Sequence, residues 1–153
     1  MELLAAVDFS DSTEKVIENA RIISKSLHAK MWLIHVAQPD PDFVGYAAGP
    51  QSERHSVASR FQAEHKSLQQ YAERLRAEGI DCVALLVQGA TVETILHEAE
   101  KLSVGMIVVG SHGRGALMRV LVGSTSEGLL RRSSLPVLVV PTHKRTEAPN
   151  GSA

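Results

Sequence analysis

Short apolar runs alternate with amphipathic stretches along most of the chain. Nearly continuous apolar residues at 2–7, 31–36, 81–87, 106–109 and 137–140 predict five buried strands. Apolar positions at helical spacing predict helices at 53–78, 91–102 and 124–132, and a further helix that starts directly after Ser12. This alternation predicts a doubly wound α/β fold: a five-stranded parallel sheet with helices on both faces and right-handed crossovers.

Polar residues and glycine mark the ends of the predicted helices. Asp11 or Ser12 can cap the first helix, and Glu14 follows Asp11 at the spacing of a capping box. Gly79 supplies a stop for the helix at 53–78. The apolar face of the first helix is predicted to contain Val16, Ala20, Ile23 and Leu27.

Two segments lack a regular pattern. Residues 38–52 contain three prolines and two glycines, which predict an irregular connection or a lid. Residues 143–153 have lost the apolar pattern and are predicted to form a flexible tail. The predicted domain therefore spans residues 1–142.

A glycine-rich connection follows the fourth predicted strand and ends at Gly123, before a helix that starts with hydroxyl residues. Gly110 and Gly113 allow close approach of the backbone to phosphate oxygens, and Arg114 can neutralise charge. Ser124 and Thr125 can donate hydroxyl hydrogen bonds at the start of the helix, where backbone N–H groups lack partners. This arrangement predicts a phosphate site. The alternative is that the glycines only turn the chain while Leu117, Met118, Val120 and Leu121 cover a core edge.

The two commonest nucleotide motifs are absent from this connection. It has no Gly-Lys pair as in a P-loop, and Met118 stands where a dinucleotide motif has its third glycine. Asp8 follows the first strand without a glycine, which favours a contact to a base or a ribose over a phosphate. In doubly wound sheets ligands bind at the carboxyl ends of strands, so Asp8, Val36 and the loop after Val109 are predicted to converge.

Composition restricts the partners. The formal net charge of the 153 residues is -1, which argues against recruitment of nucleic acid or of an anionic membrane. Cys82 is the only cysteine, so no disulfide can form within the chain and a reducing compartment is expected. No basic leader or membrane-length apolar run occurs, which predicts a cytoplasmic protein without membrane insertion. The histidines form no zinc-type pair on one helix, so no protein metal site is expected.

Over residues 2–141 the chain resembles the universal stress proteins. Nucleotide-binding members of that family carry a glycine, two residues, a second glycine, nine residues, and then a glycine with a hydroxyl residue. Here these positions are Gly110, Gly113, Gly123 and Ser124. Residues 6–10 and 135–140 also resemble the family.

The resemblance implies a Rossmann-like fold of the adenine nucleotide alpha hydrolase type that binds ATP or AMP, with any Mg²⁺ carried by the nucleotide. The base would lie near Ala6, Val7 and Asp8, with Ser10 in the same loop, and would pair with the backbone at Val36. The ribose would contact Val109 and Gly110. The phosphates would contact His112, Gly113, Arg114, Gly123, Ser124, Thr125 and Ser126.

Three functions fit these features. The first is a regulatory, stress-response module that binds an adenine nucleotide, and the second is a slow ATP hydrolase with His112 as the obvious candidate base. The third is a structural dimerisation module without nucleotide. The resemblance implies a homodimer in which Val137–Val140 pairs with its copy, and the flanking Pro136 and Pro141 are typical of an edge strand. A monomer with a covered edge is the alternative.

Overall fold

Strands and helices alternate along the parts of the chain that the structure describes. The computed structural model describes residues 1–39, 51–111 and 122–142, and for 51–56 the backbone alone. The elements are β1 (Glu2–Ala6), α1 (Thr13–Leu27), β2 (Lys30–Ala37), α2 (Gln51–Ala77), β3 (Cys82–Gln88), α3 (Thr91–Lys101), β4 (Met106–Gly110), α4 (Ser124–Arg132) and β5 (Val137–Val140).

The five strands form one parallel sheet in the order β3-β2-β1-β4-β5. β1 lies in the middle, where Leu3 is in register with Met31 of β2 on one side and with Met106 of β4 on the other. The chain first adds strands on one side of β1 and then continues on the other side. The switch point of the sheet therefore lies between the carboxyl ends of β1 and β4.

Side chains of β1 alternate between two cores. Leu3 and Ala5 belong to a cluster with Val16 and Ile17 of α1 and with Leu68 of α2. The next position, residue 4, is a leucine that packs in a second cluster with side chains of α3 and α4. The predicted doubly wound fold, with helices on both faces, is confirmed.

Gly79 ends α2 as predicted. Its φ is +84°, and its N–H donates to the carbonyl of Arg76 at 2.9 Å. The N–H of Ile80 donates to the carbonyl of Leu75 at 3.1 Å. These two bonds form a Schellman motif, which requires the left-handed conformation that glycine adopts without a steric penalty.

The start of α1 differs from the prediction. Ser12 occupies the N-cap position, but no side chain makes a capping hydrogen bond there, and Glu14 pairs with Arg74 at 2.7 Å. The predicted capping box is therefore absent, because Glu14 is engaged by a helix that the local sequence cannot reveal. Leu27 is also 49% exposed, because it is the last residue of α1 and the chain leaves the helix at His28 with a φ of 50°.

Two predicted irregular segments fall largely outside the described residues. Of the segment 38–52, residues 40–50 are not described, while Gln51 and Ser52 already belong to α2. The tail at 143–153 also lies outside them.

Candidate functional site

A cleft of about 800 Å³ lies at the carboxyl ends of β1, β2 and β4. The starts of α1, α3 and α4 and one side of α2 complete its wall. Most of the predicted site residues line it: Ala6, Val7, Asp8, Val36, Val109, Gly110, Gly123, Ser124, Thr125 and Ser126. His112, Gly113 and Arg114 lie outside the described residues.

The loop after β1 turns sharply at the floor of this cleft. The N–H of Ser10 donates to the Asp8 carboxylate at 3.0 Å, and Phe9 between them has a φ of 58°. The carbonyl of Ser10 accepts from the N–H of Thr13 at 3.0 Å, and its hydroxyl lies 2.6 Å from that of Ser12. Ser10 does not line the cleft, because its polar groups are used in the turn that leads into α1.

The N-terminus of α4 opens into the cleft. Gly123 is the N-cap, with extended backbone angles (φ -73°, ψ 164°) and no side-chain cap. The first intrahelical bond runs from the N–H of Glu127 to the carbonyl of Gly123 at 2.9 Å. The N–H groups of Ser124, Thr125 and Ser126 precede that bond and have no acceptor within the helix, so this helix end can bind an anion.

The hydroxyl of Ser126 has a structural role. It donates to the carbonyl of Gly123 at 3.0 Å and lies 3.3 Å from the carbonyl of Ser111, and the residue is 1% exposed. These bonds join the start of α4 to the end of β4. Ser126 can therefore offer a ligand its backbone N–H, while its side chain holds the helix in place.

The charged side chains near α4 form pairs. Glu127, which lines the cleft, lies 2.8 Å from Arg131, so its negative charge beside the helix N-terminus is partly offset. Arg132 donates to Glu93 of α3, and this hydrogen bond lowers the pKa of the Glu93 carboxyl. The Arg132–Glu93 pair joins the surfaces of α3 and α4, whereas the Glu127–Arg131 pair lies within α4.

Sequence reasoning missed a polar group on the opposite wall. His35 of β2 is 7% exposed, and its Nδ1 lies 2.8 Å from the carbonyl of Val7. Its Nε2 lies 3.6 Å from Oε2 of Glu64 on α2, and its ring centroid is 4.4 Å from that of Phe9. The sequence feature that could have identified it is a histidine near the carboxyl end of a mostly apolar strand, on the same face as Met31 and Leu33.

The topology and the cleft together define a doubly wound α/β protein with a ligand-sized cleft at its switch point. The chain belongs to the universal stress protein family, whose model matches residues 1–141. The resemblance stated from the sequence is thereby confirmed at the level of the family.

Among its relatives is universal stress protein MJ0577 of Methanocaldococcus jannaschii, which is 26% identical over 152 residues, or 91% of this chain and 93% of that protein. A solved structure of MJ0577 superposes with a TM-score of 0.79 at 25% identity and covers 94% of this chain and 96% of that one.

Two further solved universal stress proteins share the fold. One, in complex with cAMP, has a TM-score of 0.65 at 23% identity, with 94% of this chain and 98% of that chain covered. The other, from Archaeoglobus fulgidus in complex with dAMP, has a TM-score of 0.62 at 18% identity, with 92% and 97% covered. None of the described helices of this chain is both long enough and apolar enough to cross a membrane.

Proposed function

We propose that this protein binds an adenine nucleotide, ATP or AMP, in the cleft at the switch point and acts as a regulatory module. The observation that carries the proposal is the N-terminus of α4, where Ser124, Thr125 and Ser126 line the cleft and have N–H groups without an acceptor inside the helix. Its fixed partial positive charge suits a phosphate.

The size of the cleft suits a nucleotide. Its volume of about 800 Å³ falls within the range of small-molecule sites. The phosphates would lie at α4 and the ribose near Val109 and Gly110. The base would lie near Val7 and Asp8 and pair with the backbone at Val36. His112, Gly113 and Arg114 are proposed to contact the phosphates on the strength of the sequence motif alone.

The comparisons support adenine as the base. The structures that hold cAMP and dAMP share only the fold at their level of identity, so they indicate what this architecture accommodates. If ATP is the ligand, Mg²⁺ is proposed to arrive with it, because phosphate oxygens and water supply the ligands that Mg²⁺ prefers.

The described cleft supports nucleotide binding more strongly than hydrolysis. The cleft wall presents donors and a helix dipole, which hold a phosphate in the ground state as well as during a reaction. The hydrolase alternative depends on His112 as a base, and that residue lies outside the described part of the chain. Hydrolysis therefore stays a prediction from the sequence.

We further propose a homodimer through β5. This strand is the last in the described sheet and pairs there with β4, and Pro136 and Pro141 flank it. Val137, Leu138 and Val139 are only half-buried. A strand with free backbone groups and apolar side chains favours pairing with a second copy.

The substitution Ser124→Asp tests nucleotide binding. Ser124 is exposed and is the first residue of α4, so an added carboxylate interacts favourably with the helix dipole, by about 0.3–1 kcal/mol. The same charge repels a phosphate. We expect the ligand-free midpoint of thermal unfolding to rise or hold, the Kd for ATP to increase about tenfold or more, and adenosine binding to stay unchanged.

Calorimetry and thermal shift measure these quantities, and mass spectrometry identifies any nucleotide released from denatured wild-type protein. Gln70→Glu on the exposed side of α2 adds the same charge outside the cleft and should leave ATP binding intact. The proposal fails if the wild-type protein carries no nucleotide and neither ATP nor AMP stabilises it. It also fails if Ser124→Asp binds ATP as tightly as the wild type does.

A further inference from the structure

Two buried polar atoms in the cleft wall lack hydrogen-bond partners. Among the described residues, they are Oγ1 of Thr13 and Oε2 of Glu64. Thr13 is 2% exposed. An unpaired buried polar atom costs about 1–3 kcal/mol, and native proteins pair the large majority of buried side-chain polar atoms. Two of them in one ligand-sized cleft indicate groups whose partner is a ligand.

The hydrogen bond of His35 adds a third polar atom to this wall. Because a carbonyl only accepts, Nδ1 of His35 carries the proton that it donates to Val7 at 2.8 Å. Nε2 of His35 lies 3.6 Å from Oε2 of Glu64, which exceeds hydrogen-bond length, so this carboxylate oxygen is left as an acceptor in the cleft wall.

Thr13 and Glu64 belong to helices that pack on the opposite face of the sheet from α4. Glu64 belongs to α2, which packs on β2 and β3, whereas α4 packs on α3 and β5 across the sheet. A nucleotide with its phosphates at α4 therefore extends its base towards Glu64.

We infer, on the basis of the proposed function, that Glu64 and Thr13 determine the specificity of the cleft for a 6-aminopurine. Glu64 accepts a hydrogen bond from the exocyclic amine, and the Thr13 hydroxyl donates to the adjacent ring nitrogen N7. The second amine hydrogen and N1 are left for the backbone at Val36. An acceptor and a donor on the wall complement the donor and acceptor on that edge of adenine.

A 6-oxopurine presents a carbonyl oxygen in place of the amine. That oxygen would face the Glu64 carboxylate, and two acceptors would repel each other. A site whose buried polar groups pair with a ligand rejects an analogue that leaves them unpaired. The wild-type protein is therefore expected to bind ATP at least about tenfold more tightly than ITP.

Kd measurements with ATP, ITP and 7-deaza-ATP separate the two contacts. Glu64→Gln is expected to reduce the ATP to ITP preference about tenfold, because an amide can accept from an amine or donate to a carbonyl. Thr13→Val is expected to remove the preference for ATP over 7-deaza-ATP, which lacks N7. Glu73→Gln is the matched control, since Glu73 is exposed on α2 and does not line the cleft.

A stability measurement excludes a purely structural role for Thr13. Its hydroxyl has no partner to lose, so Thr13→Val is expected to hold or raise the ligand-free unfolding midpoint while affinity for ATP falls. A variant that loses both stability and affinity would indicate that Thr13 only supports the fold.

The comparison of the three nucleotides uses the wild-type protein, so it does not depend on the folding of any variant. Equal affinities for ATP, ITP and 7-deaza-ATP would overturn the inference and leave nucleotide binding intact. Unchanged preferences in Glu64→Gln and Thr13→Val would do the same. If the wild-type protein binds none of the three nucleotides, the proposed function itself fails and this inference fails with it.

Discussion

Cys82 illustrates how burial sets the chemistry of a single side chain. It starts β3, is 1% exposed, and packs in the cluster beneath α1 and α2. Desolvation raises the pKa of its thiol to about 11. At pH 8 the group is therefore neutral as well as inaccessible, and both properties suppress its reaction as a nucleophile.

We expect thiol reagents to label Cys82 only through unfolding. At pH 8 the rate with an aromatic disulfide reagent should be at least about a hundredfold lower in buffer than in denaturant. The unfolded thiol ionises near pH 8.5, so the free energy of unfolding should fall as pH rises from there towards 11. Cys82→Ala is the control for that slope. Fast labelling of the native protein would contradict the assignment.

Site residues differ in how far the sequence alone could predict them. Gly123 and Ser124 follow from a short motif at a strand-to-helix connection, where local geometry fixes their position at the helix N-terminus. Glu64 could not be predicted, because the rotation of α2 about its own axis decides which of its polar side chains face the cleft. Thr13 could not be predicted either, because in the sequence it looks like any first-turn residue, and only its burial in the structure distinguishes it.

At the scale of elements, the close contact between α3 and α4 also depends on packing that the local sequence does not show. Gly128 lies in the middle of α4, and a Cβ there would meet Cγ2 of Val92 on α3 at 2.8 Å. In a helix, alanine is favoured over glycine by about 1 kcal/mol. Glycine at this position therefore lowers the helix propensity of α4 but allows close packing of two helices that both line the cleft.

A double-mutant cycle measures the coupling between Gly128 and Val92. Gly128→Ala alone is expected to be neutral or destabilising, because the β-branched Val92 has one favoured rotamer in a helix and cannot turn away. In the Val92→Ala background the same substitution should stabilise the protein by about 1 kcal/mol. Urea unfolding gives each free energy. Additive effects of the two substitutions would show that the helices do not touch here.

Element bounds follow closely from hydrophobic periodicity where the side chains face the core. The predicted bounds of α4 and β5 match the structure residue for residue. α2 starts at Gln51, two residues before the predicted helix. The prediction missed this start because the first turn is polar and adds no apolar residue to the helical pattern. Hydrophobic periodicity depends on apolar residues, so it cannot detect a helical turn whose sequence is polar.

At the scale of the molecule, the order β3-β2-β1-β4-β5 places the two halves of the cleft on different helical layers. The wall with Thr13 and Glu64 belongs to α1 and α2, and the N-terminus of α4 belongs to the other layer. A nucleotide that contacts both walls bridges the two cores. The alternation of strands and helices predicts the layers, while the neighbours of each strand depend on contacts between distant segments.

β5 is an edge strand of the sheet among the described residues, and this edge carries the proposal of a homodimer. The carbonyls of Pro136 and Val140 accept from the N–H groups of Ile107 at 2.9 Å and of Ser111 at 2.8 Å, so these carbonyls face β4. Because backbone groups alternate along a strand, the N–H and carbonyl of Val139 face away from the sheet. These outward groups are the ones that a second copy of β5 would pair with.

Val139→Pro removes the outward N–H and leaves the ladder to β4 intact, and proline is tolerated on edge strands. Light scattering after size exclusion is expected to give twice the chain mass of 16.5 kDa for the wild type and the single mass for this variant, with an unchanged circular dichroism spectrum. Leu138→Pro is the matched control, because it deletes a donor that faces β4 and should destabilise the fold. A monomeric wild type would show that the edge is covered within one chain. A Val139→Pro variant that stays dimeric would place the interface elsewhere.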